Sequence, residues 1–141
     1  MNNWLIYAIG SAFFAGLTAI LGKVGVKDIN SNFATFIRTI VIMVVSSLVI
    51  TMRSEWEGFD KLHSRTLMFL VFSGIATGLS WLCYYKALQL GPVSKVAPID
   101  KLSVVFAIIL AVVFLGESLS WQVLTGGLLI VAGSLVIVFA S

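Results

Sequence analysis

The chain has 141 residues, 60% of them hydrophobic and only 11% charged, with a formal net charge of +3. Soluble domains carry about 25% charged residues, so a purely aqueous fold is excluded, and a mean hydropathy of +1.08 makes lipid the second solvent. The one cysteine, Cys83, excludes an internal disulfide, and in its apolar run it reads as a small hydrophobe.

Five apolar stretches follow in chain order, over residues 4–25, 33–52, 65–90, 93–115 and 121–140. Each is close to or longer than the ~20 residues with which an α-helix crosses ~30 Å of hydrocarbon. Barrel strands would be about half as long and would alternate polar with apolar residues, which these do not. The first stretch, opening MNNWLIYAIG, lacks the basic start and the small-residue cleavage site of a signal peptide, so it is expected to stay as a span. The predicted fold is an all-α membrane protein, five transmembrane helices in one domain covering residues 1–141.

The connectors leave no room for a soluble module. KDINSN joins the first two spans, and RSEWEGFDKLHS, the longest, joins the next two. Gly91 and Pro92 separate the third from the fourth, because proline cannot continue a helix. GESLS precedes the fifth span, with Ser120 as its expected N-cap. His63, in the polar connector, reads as solvated, since no second metal-binding side chain stands at helical spacing from it. No metal and no cofactor are implied.

An odd number of spans puts the two chain ends on opposite sides of the membrane. The loops on the N-terminal side carry Arg53, Lys61 and Arg65, and the opposite helix ends carry Lys23, Lys27, Lys86 and Lys95. Membrane proteins orient by an excess of Lys and Arg on the cytoplasmic side, and three against four offers almost none. Either something else fixes the orientation, or the chain inserts both ways up and pairs antiparallel.

Within the spans, charges gather toward one end of the bundle. Asp100 lies roughly 10 Å into the fourth span at ~1.5 Å per residue, and Arg38 is similarly deep in the second. A charge at the bilayer centre costs about 2.5 to 3.5 kcal/mol on insertion scales, so such residues face a bundle interior or a wet cavity. Lys23, Lys86 and Lys95 are long enough to snorkel out to the headgroups; Asp100 is not. Neighbouring helical residues point about a quarter-turn apart, so Asp100 is expected to face Arg38, Lys86 or Lys23 rather than Lys101. Pro98 cannot donate to the Ser94 carbonyl and is expected to kink the fourth span there. The kink and its ionisable neighbours make either a polar binding site or an ion pair that only fixes packing.

The aromatic residues divide in two. Trp4, Trp56 and Trp121 fall at helix ends or loops on one side, where amphipathic rings anchor at the interface. Trp81, Tyr84 and Tyr85 lie inside the third span, with Trp81 sharing a face with both tyrosines. They serve either as packing or as the wall of a ligand site whose anionic group the nearby cations would hold. Small residues mark expected helix contacts: Ala8, Ala12 and Gly16 in the first span, and Gly74 and Gly78 in the third. Gly126 and Gly133, one heptad apart in the charge-free last span, are the expected subunit interface.

The stretch YYKALQLGPVSKVAPIDKLSVVFAIILAVVFLGESLSWQVLTGGLLIVAGSLVIV, with Tyr-Ala-Leu spacing at the close of the third span and Leu-Gly-Glu at the close of the fourth, resembles one EamA repeat of the drug/metabolite transporter superfamily. FIRTIVIMVV resembles that repeat's arginine-bearing second helix. The resemblance covers nearly the whole chain. It implies half of a ten-helix inverted-repeat transporter, hence an antiparallel homodimer or a heterodimer with a similar chain, as in the related small multidrug resistance transporters. Unlike those relatives, the first span has no embedded glutamate. The resemblance also implies alternating access, with the substrate site at the repeat interface near the midplane.

Together these readings predict a multi-pass transporter of the cell membrane for small organic metabolites or drug-like solutes. Its substrate-binding residues would be Asp100, Lys101, Arg38, Lys86, Trp81 and Tyr85, and Asp100 would be the proton carrier if transport is proton-coupled. The excess of cations favours an anionic or zwitterionic solute. The alternative is a non-transporting membrane subunit or one half of a heterodimer. An enzyme is not expected, because no nucleophile or metal-hydrolase motif is present, and nucleic acid is not expected as a partner, because no basic surface supports it.

Overall fold

The computed structural model describes residues 3–58 and 62–140. Lys61, one of the cations in the orientation count, lies outside the described residues. Six helices follow in order: α1 Asn3–Gly25, α2 Ser31–Arg53, α3 Ser64–Leu90, α4 Val93–Asp100, α5 Ser103–Leu115 and α6 Trp121–Phe139. Five segments are long and apolar enough to cross a membrane, α4 and α5 together with their turn forming the fourth.

Runs such as TIVIMVV in α2 are rich in β-branched residues that water would steer toward strands. In hydrocarbon every backbone N–H and C=O needs an internal partner, which selects the helix regardless of propensity. Phe13, Leu70, Phe114 and Phe139 are all exposed on these helices, and among the described residues only Ala19, Val26, Ala34, Tyr85 and Leu88 are buried hydrophobics. Surfaces of this kind suit a lipid solvent.

The helix ends follow local chemistry. The Asn30 side chain accepts from the Asn32 amide at 2.9 Å and caps α2. Ser120 Oγ accepts from the Val123 amide at 3.3 Å and caps α6. Pro92 starts α4. Gly116 closes α5 at φ 67, a left-handed conformation that glycine adopts without steric cost.

Contacts divide the chain into two compact units, residues 22–89 in one and residues 1–21 with 90–141 in the other. In the second of these, α6 packs on α4 and α5. Gly127 is buried, and a Cβ there would lie 3.7 Å from Ile108. One heptad on, buried Ser134 donates to the Pro98 carbonyl at 3.0 Å. Lys95 Nζ donates to the Val138 and Ala140 carbonyls at 3.2 and 3.0 Å, so its charge meets the C-terminal end of α6, where the helix dipole is negative.

The fourth span departs from expectation in where it breaks. Pro98 sits inside α4, and the helix runs on to Asp100 before giving way at Lys101 and Leu102. There the Lys101 and Leu102 amides donate to the Pro98 and Ile99 carbonyls, three residues back rather than four, at 3.1 and 3.0 Å. Such tightening is the 3₁₀ pattern. The Pro98 carbonyl also accepts from Ser134 on α6, so the break lies where a side chain of the neighbouring helix competes for that acceptor.

Candidate functional site

In the unit of residues 22–89 the site is assembled around the end of α3. Arg38, on α2, lays its guanidinium over the Trp81 ring, 4.2 Å from the centroid, and 5.3 Å from that of Tyr85. Trp81 and Tyr85 are one helical turn apart on α3, which is why one cation reaches both. Tyr85 is only 5% exposed and meets Tyr84 edge-on at 6.3 Å. Its ring rests against Gly22, where a Cβ would stand 3.2 Å from the hydroxyl. Among the described residues Arg38 makes no ion pair, so its guanidinium is held by aromatic faces alone.

The backbone beneath this nest is welded by polar side chains. Gln89 donates its amide hydrogens to the Val26 and Ile29 carbonyls at 3.1 and 2.9 Å, tying the α1–α2 turn to α3. The same side chain accepts from Lys86 Nζ at 3.1 Å. Lys23 Nζ donates to the Leu88 carbonyl at 2.6 Å. Below them Leu88 and Val26 are fully buried. Thr35 donates to the Ser31 carbonyl at 2.9 Å, which satisfies a buried hydroxyl within α2.

Sequence reasoning marked Arg38, Trp81 and Tyr85, and the structure brings these three together. Lys86 it places on Gln89, exposed, outside the aromatic stack. Lys23 donates to the Leu88 carbonyl in the last turn of α3. Gly22 and Gln89 were missed. The signal for Gln89 was a polar residue in the last turn of an apolar helix, with Lys86 three residues before it.

In the other unit Asp100 and Lys101 meet differently from expectation. They were predicted to point apart, yet Lys101 Nζ lies 3.3 Å from Asp100 Oδ2. The reason is the break: Lys101 is the first residue beyond α4, in a tightened turn, and its long side chain curls back over its neighbour. Lys101 also lines an open cavity of about 510 Å³ with Ala97, Pro98, Val104, Gly133 and Ser134. A second groove, of about 270 Å³ between α5 and α6, is apolar throughout. Gly126 and Gly133 would each meet nothing within 4 Å if given a Cβ, and the packed positions of α6 are Gly127 and Ser134, one residue further on. Among the described residues no cluster of His, Cys, Asp or Glu could hold a metal ion.

Comparison with known proteins places this arrangement. Residues 2–139 match the EamA-like transporter family. A Sinorhizobium protein named "Uncharacterized transporter in cobO 3'region" is 47% identical over 136 residues, 96% of each chain. The human protein "Solute carrier family 35 member G1" is 31% identical over 132 residues, which are 90% of this chain and 34% of that one. No solved structure gives a significant match. With five membrane-spanning segments and a family match along nearly its whole length, the chain is a multi-pass membrane protein that belongs to the EamA-like transporter family.

Proposed function

We propose that this protein moves a small organic metabolite or drug-like solute across the cell membrane by alternating access, as an antiparallel homodimer of oppositely inserted copies. The observation that carries the reading is Arg38, a permanent cation kept inside a spanning helix on two aromatic rings, with no ion pair among the described residues. Ionisable groups inside spans are costly and mark solute or ion pathways. Arg38, Trp81 and Tyr85 form one polar place of the pathway, with Lys86 at its edge; Lys101, which lines the open cavity, and its ion-pair partner Asp100 form another. The surplus of cations favours an anionic or zwitterionic solute, and Asp100 carries the proton if a proton gradient drives transport.

Family membership and the names of both relatives support transport rather than catalysis. The antiparallel pairing is supported by the near-even distribution of Lys and Arg, three against four. A second, inverted copy would supply the other repeat and put the solute site at the subunit interface. Gly126 and Gly133, open on α6 within one chain, are the seam along which copies would approach.

The test is the orientation of the C-terminus in cells, read with paired reporters active on opposite membrane faces. Signal from both supports dual insertion. Signal from one alone removes the homodimer and turns the search to a partner chain inserted the other way up. Liposomes holding the purified protein should also take up labelled organic acids faster than protein-free liposomes, and a panel with no uptake would remove the transport reading.

A further inference from the structure

We propose that Arg38, Trp81 and Tyr85 form a subsite for a single carboxylate, so that the transported solute is an organic monocarboxylate, or an amino-acid-like zwitterion, with an apolar body. The inference rests on the transport reading above and specifies its substrate class.

The geometry supports this in three steps. The Arg38 guanidinium carbon lies over the Trp81 ring, 4.2 Å from its centroid. A guanidinium seated over a ring still has N–H donors that can fork onto a planar carboxylate. Among the described residues none of these donors makes a hydrogen bond or an ion pair.

The second step is charge balance. The neighbouring ammonium groups are directed elsewhere, Lys23 to the Leu88 carbonyl and Lys86 to Gln89. One guanidinium therefore meets the ligand, which balances one negative charge. A phosphate dianion would call for a second cation in the same place.

The third step is the wall. Tyr85 is buried against Gly22, and Trp81 is half-buried beside it, so both rings are rigid. Tyr85 backs the site, and Trp81, only half-buried, offers its remaining edge to the apolar body of the ligand. A carboxylate on a hydrocarbon or aromatic frame fits this pairing of a charged rim with an apolar flank.

Trp81 supplies its own reporter. Replacing Trp4, Trp56 and Trp121 by Phe leaves it as the sole tryptophan. In the purified full chain in lipid nanodiscs, benzoate and phenylalanine should each change its emission saturably, and inorganic phosphate and tetraethylammonium should not. Arg38→Gln should weaken benzoate binding by about tenfold or more, the loss expected for a charge-assisted hydrogen bond. Lys27→Gln, which removes a nearby exposed cation of the α1–α2 turn, should leave it unchanged. Helical circular dichroism matching the parent keeps the Arg38→Gln result interpretable; if that variant unfolds, Arg38→Lys replaces it and should still weaken binding by losing the fork. Equal benzoate response without Arg38, no response to either acid, or phosphate competing as well as benzoate overturns the assignment. The two readings fail separately. Arg38-dependent binding without uptake retains the subsite and removes transport. Uptake of benzoate that survives Arg38→Gln removes the subsite alone.

Discussion

The Arg38 guanidinium stands 4.2 Å from the centroid of the Trp81 ring, linking α2 to α3 through a cation and an aromatic face. Such a contact contributes about 0.5 to 2 kcal/mol, more as water is excluded. Trp81→Leu should therefore lower the unfolding free energy by an amount in that range, and in the Arg38→Met background most of this loss should disappear. A double-mutant cycle by chemical denaturation measures the coupling, and additive effects would show the stack to be energetically idle.

Gly22 leaves the space into which Tyr85 leans. An added Cβ would lie 3.2 Å from the Tyr85 hydroxyl, 3.3 Å from Cζ and 3.4 Å from Leu88 Cδ1. Gly22→Ala should destabilise the protein by about 1 to 3 kcal/mol through overpacking, against a helix-propensity gain of about 1 kcal/mol. Tyr85→Phe in the same chain removes the nearest atom and should recover part of the loss. Thermal unfolding of the single and double variants decides.

Gln89 supplies both hydrogen bonds that it makes to the α1–α2 turn, at the Val26 and Ile29 carbonyls. Gln89→Leu removes the donors; the Ile29 carbonyl is exposed, whereas the part-buried Val26 carbonyl left unpaired costs about 1 to 3 kcal/mol. Hydrogen exchange at the Val26 and Lys27 amides should accelerate while α2 beyond Thr39 stays protected. Unchanged exchange would mean that the turn is held by its own backbone bonds to Gly22 and Val24.

Ser134→Ala should free the Pro98 carbonyl from α6. The expected loss is about 1 kcal/mol, the net value of one hydrogen bond, together with faster exchange at the Lys101 and Leu102 amides. A variant with parental exchange in that turn would assign the helix break to proline alone.

Asp100 and Lys101 form an ion pair with side chains 37% and 54% exposed. Asn keeps the size and shape of the aspartate side chain and removes a charge that is costly inside a span, so Asp100→Asn should express and fold like the parent. Under the proton-coupled reading it should abolish uptake driven by a pH gradient. Full pH-driven uptake in this variant would remove Asp100 from the coupling mechanism.

Much of this molecule was legible from the order of its residues. Length and apolarity alone define the five spans, because a lipid solvent forces each run into a helix whatever its propensity. Gly91-Pro92, Ser120 and Gly116 mark helix ends through local backbone chemistry, which needs no distant partner. The three-residue nest of Arg38, Trp81 and Tyr85 could be suspected from helical spacing and from the cost of a cation in a span.

What only the tertiary structure decided depends on contacts between residues far apart in sequence. The fourth span breaks at Lys101, past Pro98, at a turn whose Pro98 carbonyl also accepts from Ser134 on α6. That break turns Lys101 back onto Asp100, contrary to the quarter-turn geometry of an unbroken helix. Lys23 and Lys95 donate to helix-end carbonyls 65 and more than 40 residues away, partners that the sequence does not name. Arg38 lies over two rings at once because α3 presents Trp81 and Tyr85 to it one turn apart. Spacing along a helix says which side chains share a face; what they touch is set by the helix that packs there.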